Sequence, residues 1–209
     1  FAHPERRQQQ FHRILHRLNC RPPPVLTRTS PAAILRIMRN LSVLLLSFGL
    51  VAAAQTPANP LSTSTKGLYT MAKGNVIRAA EKMPEENYAF KPTPEIRSFA
   101  QLVGHVADAN GMFCSAVLGK PSPVQGAEKS KTTKADLVTA LKESFEFCDK
   151  AYDSMTDADG ATSVKFFGSE RPKLGVLDFN VVHDYEHYGN MVTYLRLKGL
   201  VPPSSEPRK

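Results

Sequence analysis

Apolar residues recur with helical spacing in four stretches of this chain. The first runs from about Ser64 to Met83. Leu68, Met71, Ala72, Val76, Ala79 and Met83 form its stripe, and Pro84 stops it. The second opens at Ser98-Phe99-Ala100-Gln101, a capping box in which hydroxyl and carboxamide satisfy free backbone donors reciprocally. Leu102, Val103, Val106, Ala109, Phe113, Ala116 and Val117 carry it to about Leu118. Thr133-Lys134-Ala135-Asp136 opens the third, whose stripe is Leu137, Leu141, Phe145, Cys148, Tyr152 and Met155. The fourth covers about Leu174 to Lys198 and ends at Gly199, with Pro202 and Pro203 beyond. Glu85–Pro94 reads as an irregular connection and Gly119–Lys131 as a polar loop. A polar stretch with Gly160 and Gly168 precedes the last helix, and Val164–Phe167 within it reads as a short strand. Four amphipathic helices without a run of strands predict an all-α fold, a four-helix bundle.

A different pattern comes before them. Met38-Arg39-Asn40 leads into Leu41–Val51, an apolar run broken only by Ser42, Ser47 and Gly49, and then Ala52-Ala53-Ala54. A positive start, a short apolar core and an A-x-A site predict a secretory signal peptide. The run falls short of the roughly 20 apolar residues that a spanning helix needs. Cleavage after Ala54 is expected, giving a periplasmic or secreted protein with no integral membrane span. The chain then divides into a non-native or disordered extension (1–37), the signal peptide (38–54), a linker (55–61) and the bundle (62–204).

Composition adds one correction to a first impression. The net charge is +8 over 209 residues, which by itself suggests a nucleic-acid partner. Yet residues 1–54 hold eight Arg against one acid, whereas residues 55–209 hold 19 Lys and Arg against 18 acids. The basic excess belongs to the leader, and a domain with a charge of only +1 lacks the footprint of a nucleic-acid binder.

The same domain contains three histidines, His105, His183 and His187. Spacing of i, i+4 puts His183 and His187 on one helical face, one turn apart, where two ring nitrogens can meet one ion at about 2.1 Å. His105 lies two turns into the second helix, where a bundle can bring it opposite. From spacing alone, a metal site and a set of hydrogen-bonded core histidines are equally compatible with the pattern. Asp184 and Glu186 read as solvated residues on other faces of the helix. Asp108 reads as a cap or surface residue, with orienting a ligand or acting as a base as its other reading. Because only neutral imidazole donates its lone pair, metal binding is expected to weaken as pH falls through about 6.

Pro92 through His105, and His183-x3-His187-Tyr188-Gly189-Asn190 with the Gly199–Pro203 ending, resemble the DinB/YfiT-like family of proposed metalloenzymes. The resemblance covers about residues 62–204. It implies a four-helix bundle that binds one divalent metal through His105, His183 and His187. Many members carry Arg-Gly-Gln after the last ligand, where this chain has Tyr188-Gly189-Asn190. Three imidazoles suit Zn, Ni, Fe or Cu, with Zn, Ni or Fe the ions expected. Characterised relatives include thiol-dependent transferases and isomerases. A metal-dependent transferase or hydrolase acting on an unidentified small molecule is therefore the expected function, with a non-catalytic metal- or small-molecule-binding module as the alternative and outward helix faces as candidate homodimer contacts. Cys114 and Cys148 read as small buried hydrophobes. An oxidising compartment permits a bridge, but sequence does not show their Cα atoms within about 7 Å.

Overall fold

A computed structural model describes residues 58–207. The signal peptide, the extension 1–37 and residues 55–57 of the linker lie outside the described residues. The main elements are α1 (Pro60–Lys82), α2 (Phe99–Leu118), a short α3 (Ala127–Ser130), α4 (Lys134–Ser154), a short α5 (Asp157–Gly160), a hairpin of β1 (Ser163–Phe166) and β2 (Ser169–Pro172), and α6 (Lys173–Leu197). The four long helices are those expected, and the strand has become a two-stranded antiparallel hairpin. The polar loop after α2 folds back as α3. Pro60 and Leu61, read as linker, belong to α1, since proline is favoured in a first helical turn, where its missing N–H has no partner to lose.

Caps fix the starts of the helices. Ser98 Oγ accepts from the Gln101 N–H, and the Gln101 carboxamide accepts from the Ser98 N–H. Thr133 Oγ1 accepts from the Asp136 N–H at the start of α4. Gly199 follows α6 with φ 72°, as its position after the last periodic residue predicts.

Cross-helix contacts give the directions. Thr65 Oγ1 donates to Asp178 and Lys82 pairs with Glu206, so α1 and α6 run parallel. Lys66 pairs with Asp153 and Glu81 with Lys142, so α1 and α4 run antiparallel. Tyr194 Oη donates to the Arg97 carbonyl while Phe113 meets Phe179, so α2 and α6 run antiparallel. It follows that α2 and α4 run parallel. The core between them is apolar: Phe99, Phe113, Leu137, Leu141, Phe145, Leu177, Met191 and Leu195 are almost wholly buried. Each such side chain contributes about 2 kcal/mol.

Two expectations about packing fail. Leu68 and Met71 were placed on the buried stripe of α1, but they are exposed. Thr65, Tyr69 and Ala80 face inward in their place, beside the expected Ala72, Val76 and Ala79, because Tyr69 stacks on Tyr152 of α4 and sets the rotation of the helix. Cys114 and Cys148, read as free small hydrophobes, are joined by a disulfide. Parallel packing of α2 on α4 brings their Cα atoms to 5.3 Å, well inside bridging range. Among the described residues no helix is long and apolar enough to cross a membrane.

Candidate metal centre

The α2–α6 seam brings the three histidines together. Nε2 of His105 lies 3.2 Å from Nε2 of His183, and Nε2 of His187 lies 3.0 Å from the same atom. Two ligands of one ion, each about 2.1 Å from it, stand no more than about 4.2 Å apart. Both separations fit. Three nitrogens aimed at one another cannot all be satisfied by their own protons, because N–H groups pointed together repel. One Lewis acid between them satisfies all three, so His105, His183 and His187 can hold a metal ion.

Charge state favours the same arrangement. Burial pushes the His183 imidazole down to about 3, helped by neighbouring His187 and His105. Burial and His105 push His187 down to about 4. Both rings are therefore neutral with lone pairs available at physiological pH. Their competition with protons moves from the expected pH of about 6 toward 4 and below.

His105 is oriented from behind. Its Nδ1 lies 3.1 Å from Glu128 Oε2, and an Nδ1–H donated there leaves the Nε2 lone pair facing the other histidines. Arg97 Nε donates to the other oxygen of Glu128 at 2.9 Å. Partial burial alone raises the Glu128 carboxyl, but the bonds from Arg97 and His105 overcome that and hold it below the usual carboxylate range. Asp108 neither touches the histidines nor stands free as a base. Its carboxylate accepts the N–H groups of Ala127 at 2.8 Å and Glu128 at 3.0 Å, and so caps α3 and fixes Glu128. Close approach is possible because residue 104 is glycine: an added Cβ there meets Glu128 N and Cα at 2.6 Å. Asn190, which with Tyr188 departs from the family pattern, has its carboxamide 3.3 Å from His187 Nδ1.

Asp184 was read as a solvated residue and is instead fully buried. It shares the inner face of α6 with Leu177, Tyr188 and Met191, at i−7, i+4 and i+7, and that phase was visible in the sequence. Neither of its oxygens has a hydrogen-bond partner among the described residues. Burial raises its carboxyl well above the usual range, which favours the neutral acid. Glu186 is exposed, as expected. Sequence reasoning missed Glu128 and Arg97, because both reach the site from connections whose path spacing cannot give. A groove of about 490 Å3 opens beside His187, lined by Arg97, Glu128, Glu186, Asn190 and Tyr194 among others.

The comparisons with known proteins agree with the fold. The chain is 26% identical over 124 residues to the uncharacterized protein YjoA of Bacillus subtilis strain 168, covering 57% of this chain and 79% of YjoA. Its fold is similar to the crystal structure of a DinB-like protein from Bacillus cereus ATCC 10987, with TM-score 0.60 and 18% identity, over 66% of this chain and 93% of that one. The crystal structure of YjoA, described as a DinB-like protein, matches with TM-score 0.57 and 22% identity, over 70% of this chain and 99% of that one. The family model of the DinB superfamily matches residues 68–191, from the middle of α1 to the last turns of α6, with all three histidines inside the match. The chain belongs to the DinB superfamily.

Proposed function

We propose that this chain is an exported metalloenzyme that binds one divalent ion, Zn, Ni or Fe, through His105, His183 and His187. Its proposed activity is a transferase reaction using a small thiol, or hydrolysis. The observation that carries the reading is the convergence of three imidazole nitrogens on one point. When bound, the ion supplies Lewis acidity that lowers the pKa of a coordinated thiol or water and readies it as a nucleophile. Glu128 holds His105 in the tautomer that presents Nε2. Asn190 stands at the outer nitrogen of His187. The groove between Arg97, Glu186 and Tyr194 gives a small electrophilic substrate room beside the histidines, and the Arg97 guanidinium, paired with Glu128, lines it.

Two further parts of the reading have their own support. The Cys114–Cys148 disulfide fits an oxidising compartment, in keeping with removal of residues 38–54 on export. A charge of +1 on residues 55–209 offers little counterion release, so duplex nucleic acid is not a partner. Leu68 and Met71 of α1 and Val182 of α6 are exposed, which supports a homodimer contact on that outer face, readable by sedimentation.

Elemental analysis of the purified protein, followed by turnover with a panel of thiols and electrophiles and of hydrolysable esters and amides, tests the function. Metal-dependent turnover that chelation abolishes is expected. One equivalent of metal with no turnover of any class would favour a binding module instead. N-terminal sequencing of protein from fractionated cells tests export, and a mature terminus at Gln55 is expected.

A further inference from the structure

The hairpin beside the centre has an unusual tip. Phe166 pairs with Ser169, so Phe167 and Gly168 form a two-residue turn. Their φ values are 48° and 77°. Positive φ at both positions is the requirement of a type I′ turn, which favours Asn-Gly or Asp-Gly. A phenylalanine in the left-handed region is a steric outlier. The ring it carries is not tucked away: Phe167 is 61% exposed, and Phe179 on α6 is 42% exposed.

These two rings lie 6.3 Å apart and lead inward to the site. Phe113 is 5.2 Å from Phe179 and 5.6 Å from the His183 ring, centroid to centroid. Phe179, His183 and His187 follow one another at i, i+4 and i+8 along a single seam of α6. The apolar end of the seam is thus continuous with the histidines, and the polar groove of Arg97 and Asn190 begins at the other end.

From this we infer that Phe167 and Phe179 form the subsite for an aromatic-sized apolar group of the substrate whose reacting end lies at the histidines. The inference rests on the metal reading above. A small molecule fits better than a second copy of the chain. The two rings expose together about 200 Å2, a fraction of the roughly 800 Å2 per partner that a stable interface buries.

Benzohydroxamate and acetohydroxamate test this, since they share a chelating head and differ in the apolar group. On protein whose metal content has been measured, benzohydroxamate should bind at least about tenfold more tightly. Phe167→Asn installs a residue the turn prefers, so fold and metal content should persist while the preference disappears. Equal affinity of the two hydroxamates for the metal-loaded wild type would overturn the subsite. If the protein holds no metal, the metal reading fails, and the subsite is judged with 8-anilinonaphthalene-1-sulfonate, whose binding needs no ion. Fluorescence enhancement lost in Phe167→Asn supports the subsite, and enhancement unchanged in that variant overturns it. A dimer that Phe167→Asn dissociates would assign the patch to a second copy and also overturn the inference.

Discussion

The two antiparallel seams of the bundle are built on opposite electrostatic plans. Along α1 and α4, unlike charges meet: Lys66 with Asp153, Lys73 with Asp149, Glu81 with Lys142. Tyr69 stacks on Tyr152 at 3.7 Å, and its hydroxyl donates to the Phe145 carbonyl and lies 2.9 Å from Asp149. Every contact there is satisfied within the chain. Along α2 and α6, like groups meet: three imidazole nitrogens face one another, and the Phe179 ring stands open to solvent. Such a seam is less stable than it would be with complementary groups, and its three histidines can hold a Lewis acid. The first seam explains why the bundle folds, and the second is where it can act.

The largest expected break in this contrast comes from the histidines. His105→Ala, His183→Ala or His187→Ala should each remove most of the metal affinity, by more than the roughly 10–100-fold expected for an outer-shell change. Elemental analysis should fall well below one equivalent while circular dichroism keeps its helical signal. His105→Ala with a full equivalent of metal would remove α2 from the ligand set. Next in size is Glu128→Gln, which should weaken metal binding by about 10–100-fold in a competition titration. Asp108→Ala, acting through the cap on α3, should cost less than Glu128→Gln.

The pH dependence sharpens the contrast further. In the folded, metal-free chain His183 and His187 stay neutral down to about 3 and 4, whereas unfolded histidines titrate near 6.5. Between those values the unfolded chain binds more protons, so stability is lost as pH falls from about 6.5 toward 4. Asp184 works the other way. Its raised carboxyl keeps a proton that the unfolded chain releases, so its cost grows as pH rises above 3.8. Thermal melts of metal-free protein should therefore show a steeper acid-side loss in wild type than in His183→Ala. The smallest effect belongs to the other seam. Lys73→Met should change stability by about 1 kcal/mol or less in urea melts and leave metal content alone, since that pair is only partly buried.

Much of this was legible in the residues. The Ser98 capping box, the Thr133 cap and Gly199 marked helix ends because caps act within a few residues. The i, i+4 pair of His183 and His187 was legible as two of the three converging histidines for the same reason. What lay beyond reach was rotation and long-range contact. Nothing local to α1 tells that Tyr69 rather than Leu68 faces inward, because the stacking partner Tyr152 is on another helix. Glu128 meets His105 across 23 residues, along a loop whose return path depends on Asp108. The disulfide depended on which helices are neighbours. Asp184 differs from these, since its phase with Leu177 and Met191 was readable and its charge misled.

Gly104 shapes the centre, and that shape carries a kinetic expectation for any ion the histidines hold. With hydrogen alone at that position, α3 presses against α2 and Glu128 braces the ring of His105. A methyl group there would act as a wedge. The bundle would fold and the three nitrogens would still converge, but the His105 ring would turn more freely and donate more weakly. The residence time of a bound ion would then shorten before its occupancy fell. In Gly104→Ala, metal release into excess chelator should be faster than in wild type at equal initial loading, which would place control of an ion's lifetime one residue away from His105.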